Sequence, residues 1–134
     1  DNILLSEICT IALKYNIDAL IISNTSITRP ETLSSQEKNE IGGLSGKPIC
    51  ELSNEKIASA YQILQGKTPI IGVGGIACAA DAYQKIKLGA NLVQIYSALI
   101  FQGLGLVNEI NQGLIELLEK DGYQNINEAV GKAT

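Results

Sequence analysis

The feature that most restricts the fold of this chain is the alternation of short apolar runs with segments of helical periodicity. The continuous apolar runs cover residues 19–23, 70–73 and 92–96. Runs of this length without polar alternation are typical of strands that are covered on both faces, as in a parallel sheet. The order helix, strand, helix, strand, helix, strand, helix therefore predicts an α/β fold with right-handed crossovers between parallel strands.

The spacing of apolar residues predicts four helices around these strands. We expect Asn16 to cap the end of the first helix and Ser53 to cap the start of the second. We expect Gly66, Gly89 and Gly122 to end the second, third and fourth helices, with a short terminal turn near residue 127. The apolar residues that we expect to face the core are Leu4, Ile8, Ile11, Ala12 and Tyr15 in the first helix, Ile57, Ala60, Tyr61 and Leu64 in the second, Ala79, Ala82, Tyr83 and Ile86 in the third, and Val107, Ile110, Leu114, Leu117 and Leu118 in the fourth.

Two architectures contain elements in this order, a doubly wound sheet and a (β/α)8 barrel. The chain has 134 residues, the size of one domain, whereas a complete barrel has about 250. Three strands cannot close a barrel, so in a barrel this chain would supply only the last three strands. The helical pattern begins almost at Asp1, without an initiator methionine, which agrees with a barrel segment.

The composition excludes several classes of function. The net charge of −4 at pH 7 argues against nucleic-acid binding, which depends on a basic face. The chain has no histidine, so it lacks the commonest zinc ligand and the usual acid–base group at neutral pH, and we predict no metal site. No window approaches the roughly 20 apolar residues of a membrane span. We expect Cys9, Cys50 and Cys78 to be reduced thiols, because their number is odd and no C-x-x-C spacing occurs.

Two neighbouring strand ends carry groups that are suited to an anion. Gly74 and Gly75 follow the second strand and precede a helix, so a ligand can approach their backbone N–H groups closely. Tyr96 and Ser97 end the third strand, beside the second in a parallel sheet. The loops after the last two strands of (β/α)8 barrels often form a phosphate site. Paired glycines can also serve only as a tight turn, but two adjacent strand ends of this kind predict a phosphate ligand.

Polar groups also follow the first strand and occupy the long connection after it. Asn24 and Thr25 offer amide and hydroxyl groups where α/β folds bind ligands, although a local turn would use the same residues. The connection from about residue 24 to residue 52 has no clear period and contains the loop GGLSGKP, residues 42–48. This loop lacks the residue order of a P-loop, and its composition leaves open whether it is a flexible loop or a backbone cradle.

Four segments in order carry a family resemblance. They read DALIISNTS, GGLSGKP, TPIIGVGGI and GANLVQIYS, and they begin at residues 18, 42, 68 and 89. In this combination they resemble the C-terminal part of class 2, quinone-linked dihydroorotate dehydrogenases, and the resemblance covers nearly the whole chain. It implies an FMN-binding (β/α)8 barrel, of which residues 1–134 would form the C-terminal part, with the last three strands and their flanking helices.

The resemblance also implies roles for residues of these segments. Asn24 and Thr25 would contact the ring or the carboxylate of dihydroorotate. Ser23, where the family often has threonine, would approach the flavin. Ser45 and Gly46 would contact FMN through backbone groups. The residues that would bind the FMN phosphate are Gly74, Gly75, Tyr96 and Ser97.

Other parts that the resemblance implies lie outside this chain. The catalytic base of the family is a serine upstream of these segments, so we expect no catalytic residue here and no activity of the chain alone. We expect the chain to depend on the N-terminal half of the barrel, and quinone to be received through an N-terminal region. The implied reaction oxidises dihydroorotate to orotate in pyrimidine biosynthesis. Its expected place is the cytoplasmic face of the bacterial inner membrane, or alternatively the mitochondrial inner membrane.

Two alternative functions remain open. One is another phosphate-binding (β/α)8 enzyme, which would use the same strand ends for a phosphorylated substrate. The other is a small, non-catalytic α/β phosphate-binding module that is complete at this length. The module predicts a stable, soluble monomer, whereas a barrel segment predicts exposed sheet edges and therefore aggregation or dependence on a partner segment.

Overall fold

The computed structural model describes residues 2–133, so Asp1 and Thr134, which fall within the predicted domain, lie outside the described residues. The described chain alternates helices and strands in the predicted order. The elements are α1 (Asn2–Lys14), β1 (Leu20–Ile22), a 3₁₀ turn (Lys47–Ile49), α2 (Cys50–Leu64), β2 (Ile70–Val73), α3 (Ala79–Lys87), β3 (Leu92–Gln94), α4 (Ser97–Gln102), α5 (Gly105–Asp121) and α6 (Ile126–Ala129).

The strands form a parallel sheet in the order β1–β2–β3. Ile71 of β2 lies between Ile21 of β1 and Leu92 of β3 in the register. Because the strands are parallel and adjacent, their carboxyl ends lie side by side. The prediction of a parallel α/β sheet is confirmed, although β1 and β3 are shorter than the apolar runs because the chain leaves the sheet after Ile22 and Gln94.

Helices cover one face of this sheet. Ile70 and Gly72 point to that face and are buried, and a Cβ at Gly72 would lie 3.0 Å from Ile57 Cδ1. On the opposite face, Ile21 and Leu92 are 58% and 64% exposed. The prediction that the strands are covered on both faces is therefore wrong for the described residues. Apolar side chains that are neighbours in the strand register are therefore exposed on this second face.

Within residues 2–133, buried side chains form three clusters between the sheet and the helices and among the helices. Burying an aliphatic or aromatic side chain contributes about 1.5–3 kcal/mol, which holds strands of three or four residues in place. The clusters are Cys9, Ile22, Ile57, Ala60, Leu64, Ile70 and Ala90 around α1 and α2, Ile76, Ala82, Leu106 and Ile110 between α3 and α5, and Tyr83, Ile86 and Ala129 near α6.

The buried face of α1 differs from the predicted one. Cys9 and Ala12 are the residues of α1 that are buried. The predicted core residues that are exposed are Leu4, Ile8, Ile11 and Tyr15. Apolar residues occur on more than one side of this helix, so their spacing alone does not decide which side packs against α2. Asn16 has a φ of 51° after the helix, in agreement with the predicted cap.

The start of α2 is a second correction. The helix begins at Cys50, directly after the 3₁₀ turn, and Ile49 occupies the N-cap position without a side-chain hydrogen bond. Ser53, which was predicted to be the N-cap, lies inside the helix and is buried. At the other end, Gln65 is the left-handed C-cap with a φ of 49°, one residue before the predicted Gly66.

The region after β3 contains a short helix that was not predicted. This helix, α4, covers Ser97–Gln102, and α5 starts afterwards at Gly105. Of the predicted inward residues of α5, Ile110 is buried, but Val107 is 42% exposed. Gly122 ends α5 in the left-handed conformation, as predicted. The other predicted residues pack partly buried against the core: Leu114, Leu117 and Leu118.

The three cysteines are free thiols, as predicted, with Cys9 and Cys50 buried and Cys78 exposed. Burial raises the pKa of the Cys9 and Cys50 thiols, so both stay protonated at neutral pH. Within residues 2–133, no helix is both long enough and apolar enough to cross a membrane. In the same range, no group of three or more His, Cys, Asp or Glu side chains is arranged to hold a metal ion.

Candidate functional site at the carboxyl ends of the strands

An open cleft with a volume of ≈ 1210 Å³ lies at the carboxyl ends of the three strands. Its walls are the segments that follow β1, β2 and β3, together with the loop before α2. The parallel sheet brings these segments together because each crossover returns the chain in the same direction. All nine residues predicted to bind substrate or cofactor line the cleft: Ser23, Asn24, Thr25, Ser45, Gly46, Gly74, Gly75, Tyr96 and Ser97.

Asn24 and Thr25 form a polar corner of the cleft. The Thr25 N–H donates a hydrogen bond to Asn24 Oδ1 over 2.9 Å. This bond uses the oxygen of the Asn24 side chain and leaves its NH2 group as a donor. A Cβ at Gly43 would overlap Thr25 Oγ1, so the loop can pass this close to the threonine only because residue 43 is glycine.

Arg29 orders the long connection between β1 and α2. Its guanidinium donates hydrogen bonds to the carbonyl oxygens of Glu40 and Gly42, each over 2.9 Å. An antiparallel bridge joins Ser26 to Leu44. These contacts fold the connection back on itself and place the residues after position 44 over the cleft. The role of Arg29 in the described structure is therefore to hold the loop.

The loop and the end of β3 meet at two serines. The Ser97 hydroxyl donates a hydrogen bond to Ser45 Oγ over 3.0 Å. Gly46 follows with a φ of 77°, which favours glycine, and a Cβ there would lie 3.5 Å from Ser97 Cβ. Two predicted cofactor contacts that are far apart in the sequence are thus in direct contact in the structure.

The turn after β2 rests on α2. Gly74 and Gly75 have φ values of 119° and 75°, where a side chain is strained. A Cβ at Gly74 would lie 3.1 Å from Ser53 Cβ, and a Cβ at Gly75 would lie 2.6 Å from Cys50 Cα. The glycines are therefore required by the turn itself, and their bare backbone also lines the cleft.

An ion pair ties the loop to α3. Lys47 Nζ lies 2.7 Å from Asp81 Oδ1, and the Ala77 N–H donates a hydrogen bond to Asp81 Oδ2 over 3.0 Å. Partial burial acts to raise the pKa of Asp81, but the hydrogen bonds from Lys47 and Ala77 hold it below its ordinary value. Lys47 is 65% exposed, so we expect the pair to contribute at most about 1 kcal/mol to stability.

Comparison with known proteins identifies the family. The family model described as dihydroorotate dehydrogenase matches residues 2–118. The chain belongs to the dihydroorotate dehydrogenase family. A relative from Xanthobacter autotrophicus, dihydroorotate dehydrogenase (quinone), is 48% identical over 131 residues, which are 98% of this chain and 37% of that protein. A mitochondrial dihydroorotate dehydrogenase (quinone) from Arabidopsis thaliana is 43% identical over 95% of this chain and 28% of that protein.

Solved structures agree with this assignment. The crystal structure of the Eimeria tenella dihydroorotate dehydrogenase in complex with ferulenol matches with a TM-score of 0.95 and 34% identity, over 99% of this chain and 35% of that chain. The chain therefore spans little more than a third of the length of the dihydroorotate dehydrogenases that it matches. The predicted resemblance and the predicted partial (β/α)8 barrel are confirmed. The roles of the nine cleft residues stay predictions.

This dihydroorotate dehydrogenase segment also contains a buried polar cluster beneath the cleft, which sequence reasoning missed. The Lys85 ammonium donates hydrogen bonds to Ser53 Oγ over 2.9 Å and to Asn54 Oδ1 over 2.8 Å, and all three residues are buried. One signal in the sequence could have indicated this cluster. Lys85 lies three residues after Ala82 and one residue before Ile86, so it falls on the buried side of α3. No local sequence pattern indicates that the partners of Lys85 lie on α2.

The short helix α4 supplies further cleft residues that were not predicted. Phe101 and Gln102 line the cleft, and Gln102 Nε2 donates a hydrogen bond to the Ala77 carbonyl oxygen over 3.1 Å. The helix has six residues and lies directly before α5, so no separate period in the sequence marks it.

Proposed function

We propose that this chain is the part of a quinone-linked dihydroorotate dehydrogenase that holds the FMN phosphate and one side of the substrate. The supporting observation is that the 74–75 turn, the hydrogen-bonded hydroxyls of Ser45 and Ser97, and the Asn24 corner line one cleft. In the proposed reaction, dihydroorotate is oxidised to orotate in pyrimidine biosynthesis, with quinone as the final electron acceptor.

The cleft fits a cofactor that carries a phosphate. Proteins bind phosphate through backbone N–H groups, hydroxyls and positive charge. Gly74 and Gly75 have no side chains of their own and line the cleft, and Ser97 offers a hydroxyl from the neighbouring strand end. In the proposed arrangement these groups hold the phosphate. The other proposed contacts to FMN are Ser23, Ser45, Gly46 and Tyr96.

Asn24 and Thr25 are the proposed substrate contacts. Because Asn24 Oδ1 already accepts the Thr25 N–H, the Asn24 side chain has its NH2 group to donate to a ligand. The Thr25 hydroxyl can donate or accept. Donors of this kind suit the carbonyl and carboxylate oxygens of dihydroorotate.

The residues of this chain bind and orient the reactants. FMN, when bound, would supply the acceptor for a hydride from dihydroorotate. Lys47 lines the cleft, but its hydrogen bond to Asp81 raises its pKa, so it keeps its proton at neutral pH and is unsuited to act as a base. The proposed base is a serine in the upstream part of the protein, and we expect the chain alone to be inactive.

The upstream part of the barrel is the proposed partner of this chain. It would cover the open sheet face, where Ile21 and Leu92 are exposed, and it would carry the region that receives quinone. The relatives named as quinone-linked, some of them mitochondrial, support a place at a membrane. We propose the cytoplasmic face of the bacterial inner membrane, with the mitochondrial inner membrane as the alternative.

The proposed function is tested by joining this chain to the upstream part of the Xanthobacter autotrophicus relative; this chimaera is called the complete barrel below. Its visible spectrum is recorded before and after dihydroorotate is added without oxygen. We expect a flavin spectrum that bleaches with dihydroorotate. Bound flavin that does not bleach would reject dihydroorotate as the substrate. A protein that binds no flavin would reject the proposed function and favour a different phosphate ligand.

Asn24→Ala separates substrate binding from cofactor binding. We expect this variant to keep its flavin but to need at least tenfold more dihydroorotate for half bleaching, because a hydrogen bond to a charged group contributes about 1.5–3 kcal/mol. Asn111→Ala, at an exposed position of α5, is the matched control. An unchanged dihydroorotate requirement in Asn24→Ala would remove Asn24 from the substrate site.

A further inference from the structure

A buried lysine lies beneath the cleft. Lys85 has no exposed surface, and its ammonium donates hydrogen bonds to Ser53 Oγ and Asn54 Oδ1, both of which are neutral acceptors. Its side chain passes under β2, since a Cβ at Gly72 would lie 3.4 Å from Lys85 Cδ. The positive charge is therefore buried on the helix side of the sheet, next to the segment of α2 on which the 74–75 turn rests.

A charge in this position is unfavourable by itself. Burial lowers the pKa of Lys85, and the nearby charges of Asp81 and Glu51, which favour the ammonium form, only partly offset this effect. An apolar side chain of similar volume would fill the position without that penalty. A negative charge bound close by would offset the penalty further, and the cleft wall at Val73 and Gly74 is open to an anion.

One hydroxyl connects Lys85 to this turn. Ser53 Oγ accepts the hydrogen bond from Lys85 and donates its own proton to the Val73 carbonyl oxygen over 2.6 Å. The same carbonyl oxygen accepts the Ser23 N–H over 3.4 Å, so it faces β1 and α2. The peptide bond between Val73 and Gly74 is trans, so the Gly74 N–H points the opposite way, toward β3, where the pairing of Val73 with Gln94 brings it to the Gln94 carbonyl oxygen.

We propose that Lys85 is a positioning residue for the phosphate end of the cofactor. Through Ser53 it fixes the Val73–Gly74 peptide, and with it the 74–75 turn at the cleft wall. Its charge also stabilises a phosphate dianion across the turn. This inference rests on the proposed function, because it requires that the cleft binds a phosphate-bearing cofactor.

The test compares FMN with riboflavin, which lacks the phosphate, on the complete barrel. Dissociation constants for both flavins are measured by quenching of flavin fluorescence in the wild type and in Lys85→Met. We expect FMN binding to weaken at least tenfold in the variant, since a unit charge in a low-dielectric interior acts strongly on a nearby phosphate. Riboflavin binding should change less than about twofold, because the neutral ligand gains little from the charge.

Two further variants separate charge from packing. Lys85→Gln can still donate a hydrogen bond to Ser53 but carries no charge, so it should lose the preference for FMN even if Lys85→Met fails to fold. Ile57→Val is the matched control, because Ile57 contacts the same Gly72 and its substitution loosens the core without changing charge. This control variant should weaken the binding of both flavins equally or of neither.

The outcomes distinguish this inference from the proposed function. A wild type that prefers FMN, together with Lys85→Met and Lys85→Gln variants that lose this preference, supports the role of Lys85. If the Lys85 variants keep the preference for FMN, or lose affinity for both flavins equally, this role of Lys85 is overturned. The proposed function then stays in place. A wild type that binds neither flavin overturns both.

Discussion

Gly75 and Gly103 have the same backbone φ of 75° but different surroundings. A Cβ at Gly75 would lie 2.6 Å from the Cα and 2.9 Å from the N of Cys50, whereas a Cβ at Gly103 would meet no atom within 4 Å. A side chain at this φ is strained by about 1–2 kcal/mol at either position. At Gly75 it also collides with the backbone of α2, so the packing between β2 and α2 must shift.

We expect Gly75→Ala to lower the free energy of unfolding by about 1–3 kcal/mol more than Gly103→Ala, because overpacking adds to the backbone strain. Urea denaturation of the complete barrel measures both variants. The shifted turn should also bind FMN more weakly in Gly75→Ala than in Gly103→Ala. Equal losses of stability would show that α2 yields to the new methyl group, and would contradict the close packing described for this turn.

The candidate site was predictable where it depends on a single rule about parallel sheets. Asn24, Gly74 and Ser97 follow strand ends, and strand ends of a parallel sheet share one edge. Ser53 was misplaced because a serine before an apolar run satisfies the pattern of an N-cap. Its real partners are Val73 and Lys85, which lie 20 and 32 residues away in the sequence. Tertiary packing sets such partners, and no local pattern contains them.

At the scale of secondary-structure elements, a hydrogen bond joins α3 to the end of α5. The Tyr83 hydroxyl donates to Asp121 Oδ2 over 2.8 Å, and Lys87 Nζ lies 3.5 Å from the same oxygen. Burial, followed by the bond to Asp121, raises the pKa of Tyr83 from 10.0 to about 12. The bond to Tyr83 in turn lowers the pKa of Asp121.

We expect this bond to make stability fall as the pH rises from about 10 to about 12. The folded state keeps the Tyr83 proton up to about pH 12, whereas the unfolded chain releases it near pH 10.0, so alkali favours unfolding. Tyr83→Phe should cost about 1–2 kcal/mol at neutral pH and reduce this fall. Denaturation of the complete barrel at several pH values measures both effects, with Tyr15→Phe at an exposed tyrosine as the control. If the stability of Tyr83→Phe falls with rising pH as much as that of the wild type, another group causes the alkaline effect.

The order of helices and strands was predictable because apolar runs and helical spacing alternate clearly along the chain. The packing face of α1 was not, because apolar residues occur on several sides of that helix, and the surface of α2 decides which side is buried. Helix α4 was not predictable either. Its residues Ile100 and Phe101 are 77% and 85% exposed, so they lack the inward spacing by which a packed helix is recognised.

At the scale of the whole molecule, one face of the sheet is packed and the other is open. Ile21, Ile71 and Leu92 form a row across the open face in the strand register. The apolar runs were interpreted correctly as strands. An apolar run does not indicate, however, which segment of the protein packs against each face of the sheet. The chain spans 37% of its Xanthobacter autotrophicus relative, and we expect an upstream part of the barrel to cover the row.

We expect Leu92→Lys to have opposite effects in the chain alone and in the complete barrel. In the chain alone Leu92 is 64% exposed, so lysine should remove apolar surface and reduce self-association without loss of stability. In the complete barrel the residue would face the interior, where lost leucine burial and an unpaired ammonium should cost at least about 3 kcal/mol. Sedimentation of the chain and urea denaturation of the complete barrel measure these effects, and Ile41→Lys, at a loop residue that is 103% exposed, should change neither. A wild-type chain that is a stable monomer, with no cost of Leu92→Lys in the complete barrel, would mean that the open face needs no partner and that the chain folds as a self-contained module.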